Sequence, residues 1–136
     1  MNYNIVTERA FLREVKRLSK KYKSLKQDLQ RLQDELLANP QAGADLGNGV
    51  HKARLAIGSK NRGKSHGACV ITYTYRIDEE NGNITLLYLY DKEERDSISA
   101  TEINQLVAEA KASAGLEALL YAALPPPPCH QYRRTI

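Results

Sequence analysis

The segment Gly58–Ser65, GSKNRGKS, fits the G-x-x-x-x-G-K-[ST] pattern of a phosphate-binding loop at all of its defined positions. Such a loop works because a strand feeds a glycine turn that opens directly into a helix, whose free amides and dipole face the anion. Here Ser65 is followed by HGACVITYTY, a β-branched and aromatic run that reads as a strand. Nor does the chain alternate strands with helices as a parallel nucleotide-binding sheet must. Nucleotide hydrolysis is therefore set aside and no nucleotide cofactor is expected. The same residues suit a different chemistry. Between Leu46 and Ile77 stand Lys52, Arg54, Lys60, Arg62, Lys64 and Arg76, with no Asp or Glu among them. A local positive field of this kind attracts a phosphate backbone. Lys60, Arg62 and Lys64 would converge on a polyanion from a flexible loop while Lys52 and Arg54 stand on the neighbouring strand; a solvated basic loop is the plainer alternative. His51, His66 and His130 are scattered and Cys69 and Cys129 lie far apart, so neither a metal site nor a disulfide is expected.

The elements that position these residues follow from periodicity. Asn2 to Val6 reads as a short strand. Phe11, Val15, Leu18, Tyr22, Leu25, Leu29, Leu32 and Leu36 alternate spacings of four and three, the signature of one apolar helical face. Ser24-Leu25-Lys26-Gln27 fits a capping box, which splits the seam into a hairpin of helices at about 8–20 and 25–38. Asn39-Pro40 ends the second. Gln41–Gly49 reads as a glycine loop. Ala53, Leu55 and Ile57 then alternate with Lys52, Arg54 and Ala56, giving a strand with one packed face and one cationic face. Ala68–Asp78 is the next strand, Asn81-Gly82 supplies a hairpin turn, and ITLLYLY at Ile84–Tyr90 has the continuous apolar character of a central strand. A charged turn at 91–96 precedes a second capping box, Ser99 to Glu102, which opens a C-terminal helix. Gly115 is a point where that helix would stop or bend, and Pro125–Pro128 must be extended. The expected fold is α+β: an N-terminal helical hairpin packed on a small antiparallel β-sheet, with a C-terminal helix. Residues 1–112 make up the domain, and 113–136 an extension, partly helical, then proline-rich and disordered.

The formal net charge is +4 over 136 residues, and no run approaches the length of a membrane span. The N-terminal MNYNIVTERAF lacks the apolar core of a secretory signal, which makes the cytoplasm the expected location.

Several stretches together resemble a known family. They are F-L-R-E-V-K-R-L-S-K-K-Y-x-S-L in the hairpin, N-P-x-x-G after it, K-A-R-L-A-I-x-S-K-x-R-G-K-S-x-G-A-x-V-I-T-Y, and L-L-Y-L-Y-D-K-x-E before the capped helix. Across residues 1–110 the chain resembles the RelE/ParE superfamily of toxins from bacterial toxin–antitoxin modules, on the RelE-like side. The resemblance implies a sheet with a cationic face, an mRNA interferase that cuts message on the ribosome, and a cognate antitoxin as partner. It also implies metal-independent attack of a ribose 2′-OH on the adjacent phosphate. That chemistry needs a base, cations for the phosphorane and an acid for the leaving oxygen. The resemblance places these roles on Lys52, the better candidate base, on Arg54, and on Lys92 or Arg95 after the last strand. Lys60, Arg62 and Lys64 would grip the backbone, and Tyr90 would stack on a base or belong to the core.

One position departs from the family. Members carry Arg in the G-A-R-V-I segment, and here that residue is Cys69. A neutral thiol cannot stabilise the phosphate as arginine would; by itself it reads as a small buried hydrophobe. An attenuated toxin, a homologue that only binds its antitoxin, and a detoxified variant stand as alternatives, beside a ParE-type gyrase inhibitor.

Overall fold

The computed structural model describes residues 2–60 and 67–122, with side chains through residue 113. Strand β1 (Asn2–Thr7) leads into α1 (Arg9–Ser19) and α2 (Leu25–Ala38). Next come β2 (Ala44–Gly47), β3 (Val50–Leu55), a short 3-10 turn at Gly58–Lys60, β4 (Ala68–Arg76), β5 (Asn81–Asp91) and α3 (Ala100–Ala122). The strands form one five-stranded sheet in the order β1-β5-β4-β3-β2.

The helical seam is realised in full: all eight apolar residues from Phe11 to Leu36 are buried. They pack against Ala53, Leu55, Val70, Ile84, Leu86 and Leu89 on one face of the sheet. Burying such a stripe is what stabilises helices this short. α2 ends where expected, since Asn39 takes an extended conformation ahead of Pro40. The expected capping box at Ser24 does not form. Ser24 stands at the N-cap position, but its hydroxyl donates to Asp28 Oδ2 (2.8 Å) and accepts the Ser59 amide (2.7 Å). A tertiary partner has taken the side chain that a local cap would have used.

The meander β3-β4-β5 is antiparallel, as expected, with β4 at its centre, and β5 is an interior strand between β4 and β1. The structure adds two edges. β1 pairs parallel with β5, making the sheet mixed, and β2 pairs antiparallel with β3. β2 escaped sequence reading because all four of its residues are exposed, so no apolar alternation marks it. Gly47, Asn48 and Gly49 do form a turn, each at positive φ. Asn81-Gly82, in contrast, is not the β4–β5 turn. Both residues lie inside β5, paired with Asn2 and Tyr3 of β1. The reversal falls at Ile77–Glu80, where the Asp78 carboxylate accepts the amides of Glu80 and Asn81, each at 2.8 Å. That side chain mimics a turn of backbone and fixes the reversal earlier.

β5 carries a bulge. Ile71 pairs with Tyr88 and Thr72 with Leu86, leaving Leu87 unpaired. Ile84 and Leu86 face the helical hairpin, whereas Leu87 and Tyr90 join a second apolar cluster on the opposite face. There Val50, Cys69, Ile71, Leu87 and Tyr90 are covered through Ala110, Ile103, Leu106 and Val107 of α3. α3 starts with the Ser99 hydroxyl accepting the Glu102 amide (3.1 Å), so the second cap is real. It continues past Gly115 to Ala122. Among the described residues no helix is long and apolar enough to cross a membrane.

Candidate functional site

The second face of the sheet carries the cations. β3 directs Ala53 and Leu55 into the hairpin-side core, so Lys52 and Arg54, one position out of phase, fall on the other face with Val50. Arg54 is exposed and Lys52 half-buried. Among the described residues neither has an ion-pair partner, so both charges are available to a polyanion. Lys52 also stands at a groove of about 600 Å3 between the β2–β3 edge and α3, floored by Val50, Ile103 and Val107.

The registers place these cations in rows. Arg54 lies opposite Cys69, and Cys69 opposite Tyr90; one step along, Lys52 lies opposite Ile71 and Ile71 opposite Tyr88. The first row is the centre of the site. Cys69 is 1% exposed and Tyr90 2%. The Tyr90 hydroxyl is buried without a hydrogen-bond partner among the described residues. Burial, and then the adjacent Cys69 thiol, push its pKa well above the ordinary phenol value. The Arg95 guanidinium lies over the Tyr90 ring, 5.7 Å from its centroid. Tyr90 is thus part of the core, with the Arg95 guanidinium against its ring.

Lys60 does not join this cationic face. Its ammonium turns to the hairpin side and donates to Asp91 Oδ1 at 2.6 Å, with only 5% of the side chain exposed. Asp91, fully buried at the end of β5, also accepts the Tyr22 hydroxyl (2.7 Å) and the Glu93 amide (3.0 Å). The Lys60 ammonium further lies 5.0 Å from the centre of the Tyr22 ring. Asp28, buried on α2, accepts the Gly58 amide at 2.9 Å and binds Arg31 and Ser24. Gly58–Lys60, which open GSKNRGKS, are therefore anchored to the helical hairpin. The turn at Gly58–Lys60 is three residues long, and Ala68 beyond the loop begins a strand, where a nucleotide-binding loop requires a helix.

The other side of the site is the turn after β5. The Lys92 amide donates to the Gly67 carbonyl (3.2 Å), bringing the end of the basic loop beside Lys92. The Lys92 side chain is half-buried and has no ion-pair partner among the described residues. Glu94 is gripped by Arg17 of α1 through two contacts of 2.9 and 2.6 Å, which holds the turn to the hairpin. Arg95 donates to both oxygens of Glu102 on α3, at 2.9 and 3.1 Å.

Of the residues singled out from sequence, Lys52, Arg54, Cys69, Tyr90, Lys92 and Arg95 come together around this face and its flanking turn, and Lys60 does not. Arg62, Lys64, His66, Cys129 and His130 lie outside the described residues. Sequence reasoning placed Tyr22 only in the apolar seam and Glu102 only in a capping box, and gave no role to Asp28. Asp91 carried a faint signal, an acid directly ending a buried strand, which needs a partner to be tolerated there. Among the described residues no group of His, Cys, Asp and Glu could hold a metal ion.

A family model described as "RelE toxin of RelE / RelB toxin-antitoxin system" matches residues 4–124, which takes in the hairpin, α3 and all of the sheet but the first two residues of β1. A search of curated proteins gave no match.

Proposed function

This chain belongs to the RelE toxin family of toxin–antitoxin systems, and from that premise we propose that it cleaves mRNA on the ribosome. The observation that carries the proposal is the pair Lys52 and Arg54, uncompensated and two residues apart on β3, beside Cys69 and within the same site as Lys92. Lys52, as its neutral amine, takes the proton from a ribose 2′-OH and becomes an ammonium, and the oxygen attacks the adjacent phosphorus. Arg54, which stays charged at any physiological pH, stabilises the pentacoordinate phosphorane. Lys92 gives a proton to the departing 5′-oxygen as its bond to phosphorus breaks, leaving a 2′,3′-cyclic phosphate on one fragment. No metal is required for these transfers. Arg62 and Lys64 are proposed to grip the message backbone, without Lys60. The antitoxin implied by the family is proposed to oppose the cationic face, and the cytoplasm is the proposed location.

Cys69 is the observation that favours a second reading. A buried thiol offers no charge where the family uses arginine, and loss of one such stabilising contact typically lowers rate by ~10²–10³. The protein is then either an attenuated nuclease or one that only binds its antitoxin. Purified protein added to translating ribosomes, with message ends mapped, separates the two. Cleavage that disappears in Lys52→Ala and Arg54→Ala supports the nuclease. Intact message with both the natural chain and Cys69→Arg, alongside tight antitoxin binding, selects the binding-only reading.

A further inference from the structure

We propose that Arg95 supplies the phosphate-stabilising cation that position 69 lacks, and that Glu102 on α3 keeps this cation neutralised until RNA enters. The inference rests on the nuclease reading above and concerns the regulation of that same site. The row across β3, β4 and β5 runs Arg54, Cys69, Tyr90. Its last two members are neutral, and both are buried. Over the ring of the last one sits the Arg95 guanidinium, so the row that lost a cation at its centre has one at its far end. It reaches this place from the turn after β5, not from β4. A comparison of strand residues alone therefore does not find it.

In the resting structure that charge is spent. Arg95 Nη2 meets both Glu102 oxygens, and its Nε donates to the Ser97 carbonyl at 2.9 Å. A carboxylate with both oxygens on the one guanidinium nitrogen takes the place a phosphate would take, so the two anions compete for the same donor. The exchange is undemanding for two reasons. Both side chains are partly exposed, at 34% and 47%, so neither is left buried and unpaired. Glu102 also lies in the first turn of α3, where the Ser99 hydroxyl is 3.2 Å away and the helix dipole favours a negative charge. The displaced carboxylate thus keeps local stabilisation.

The test measures affinity for a non-cleavable 2′-O-methyl RNA oligonucleotide with four proteins: the natural chain, Glu102→Gln, Arg95→Ala, and both changes together. The expected result is that Glu102→Gln binds about 2- to 5-fold more tightly, the range set by an exposed ion pair. Arg95→Ala should bind more weakly, and adding Glu102→Gln to it should restore nothing. Equal tightening with and without Arg95 would mean a general charge effect and overturns the proposal, as does no effect of Glu102→Gln at all. Lys52→Ala in the same assay tells the two failures apart. If Lys52 matters to binding and message cleavage while Glu102 does not, only the present inference falls; if Lys52 matters to neither, the nuclease reading falls with it.

Discussion

Lys60 and Asp91, 31 residues apart in the chain, meet inside the protein with 2.6 Å between ammonium and carboxylate. The contact decides what the basic loop is: its first cation belongs to the fold. Breaking a buried pair from one side leaves the other charge uncompensated, a loss of about 3–5 kcal/mol. Asp91→Ala and Lys60→Met should each fall in that range by urea unfolding, whereas Lys60→Met combined with Asp91→Leu should cost clearly less than their sum. Additive losses would show that the pair is not coupled.

The same pair sets a pH window. Burial opposes the Asp91 charge, but hydrogen bonds from Lys60, the Glu93 amide and Tyr22 outweigh it and hold the carboxyl below its ordinary range. Burial likewise opposes the Lys60 ammonium, and the bond to Asp91 outweighs it, leaving that pKa raised. A lowered carboxyl contributes fully above its unfolded value of about 3.9 and loses the contribution as pH falls through the lower folded value. A raised lysine contributes fully below about 10.4 and loses it as pH rises through the higher folded value. Stability of the natural chain should therefore fall away at both extremes, and the paired Lys60→Met, Asp91→Leu protein should show shallower limbs. Identical pH profiles would place the acid and alkaline sensitivity elsewhere.

Asp28 accepts the Gly58 amide and the Ser24 hydroxyl where α2 meets the loop. Asp28→Ala strands that amide and should cost about 1–3 kcal/mol in thermal or urea unfolding. It should also raise amide exchange at Gly58 and Ser59 ahead of global unfolding.

Gly67 closes the loop against β3. A side-chain carbon there would land far inside van der Waals contact distance of the Leu55 carbonyl oxygen, which belongs to backbone and cannot swing aside. Gly67→Ala should destabilise by at least about 1–3 kcal/mol, the ordinary cost of overpacking, and shift the Lys92 amide resonance. An unperturbed spectrum would contradict the close packing.

Cys69→Arg sets rate against stability. The position is 1% exposed within an apolar cluster, so the larger side chain should cost about 1–3 kcal/mol. If the nuclease reading is right, message cleavage should nonetheless rise by up to ~10²–10³, because a phosphate contact is regained. Loss of stability without a gain in cleavage would favour the binding-only reading.

Much of the architecture was legible because it depends on periods. The spacing from Phe11 to Leu36 gave both helices, and the alternation around Ala53 put Lys52 and Arg54 on the face away from the hairpin. What periodicity cannot carry is the direction of a long polar side chain whose partner is remote. Nothing near Lys60 announces that it will turn inward to a carboxylate on β5. The capping box at Ser24 is correct as a pattern and unused, since Ser59 and Asp28 compete for the same hydroxyl. The Asn-Gly pair was a sound turn signal overridden by Asp78 and by the ladder that β1 needs. In the site itself, the residues of β3 could be found from sequence alone, whereas the Arg95–Glu102 pair required knowing that α3 begins against that turn.

The unpaired Leu87 gives β5 two reading frames. Up to Leu86 the even-numbered residues feed the hairpin-side core; after the bulge it is Leu89 that does so, and Tyr88 and Tyr90 lie in the rows of the opposite face. The chain changes parity at one residue, and the composition of the site depends on that change. Regular alternation of this same stretch, without the bulge, would send Tyr90 toward the hairpin and Asp91 toward the cationic face, putting a negative charge among its cations. In this segment length is itself a variable, and loss of the bulged residue alone, which leaves Leu89 and Tyr90 on their present faces, should be better tolerated than loss of two.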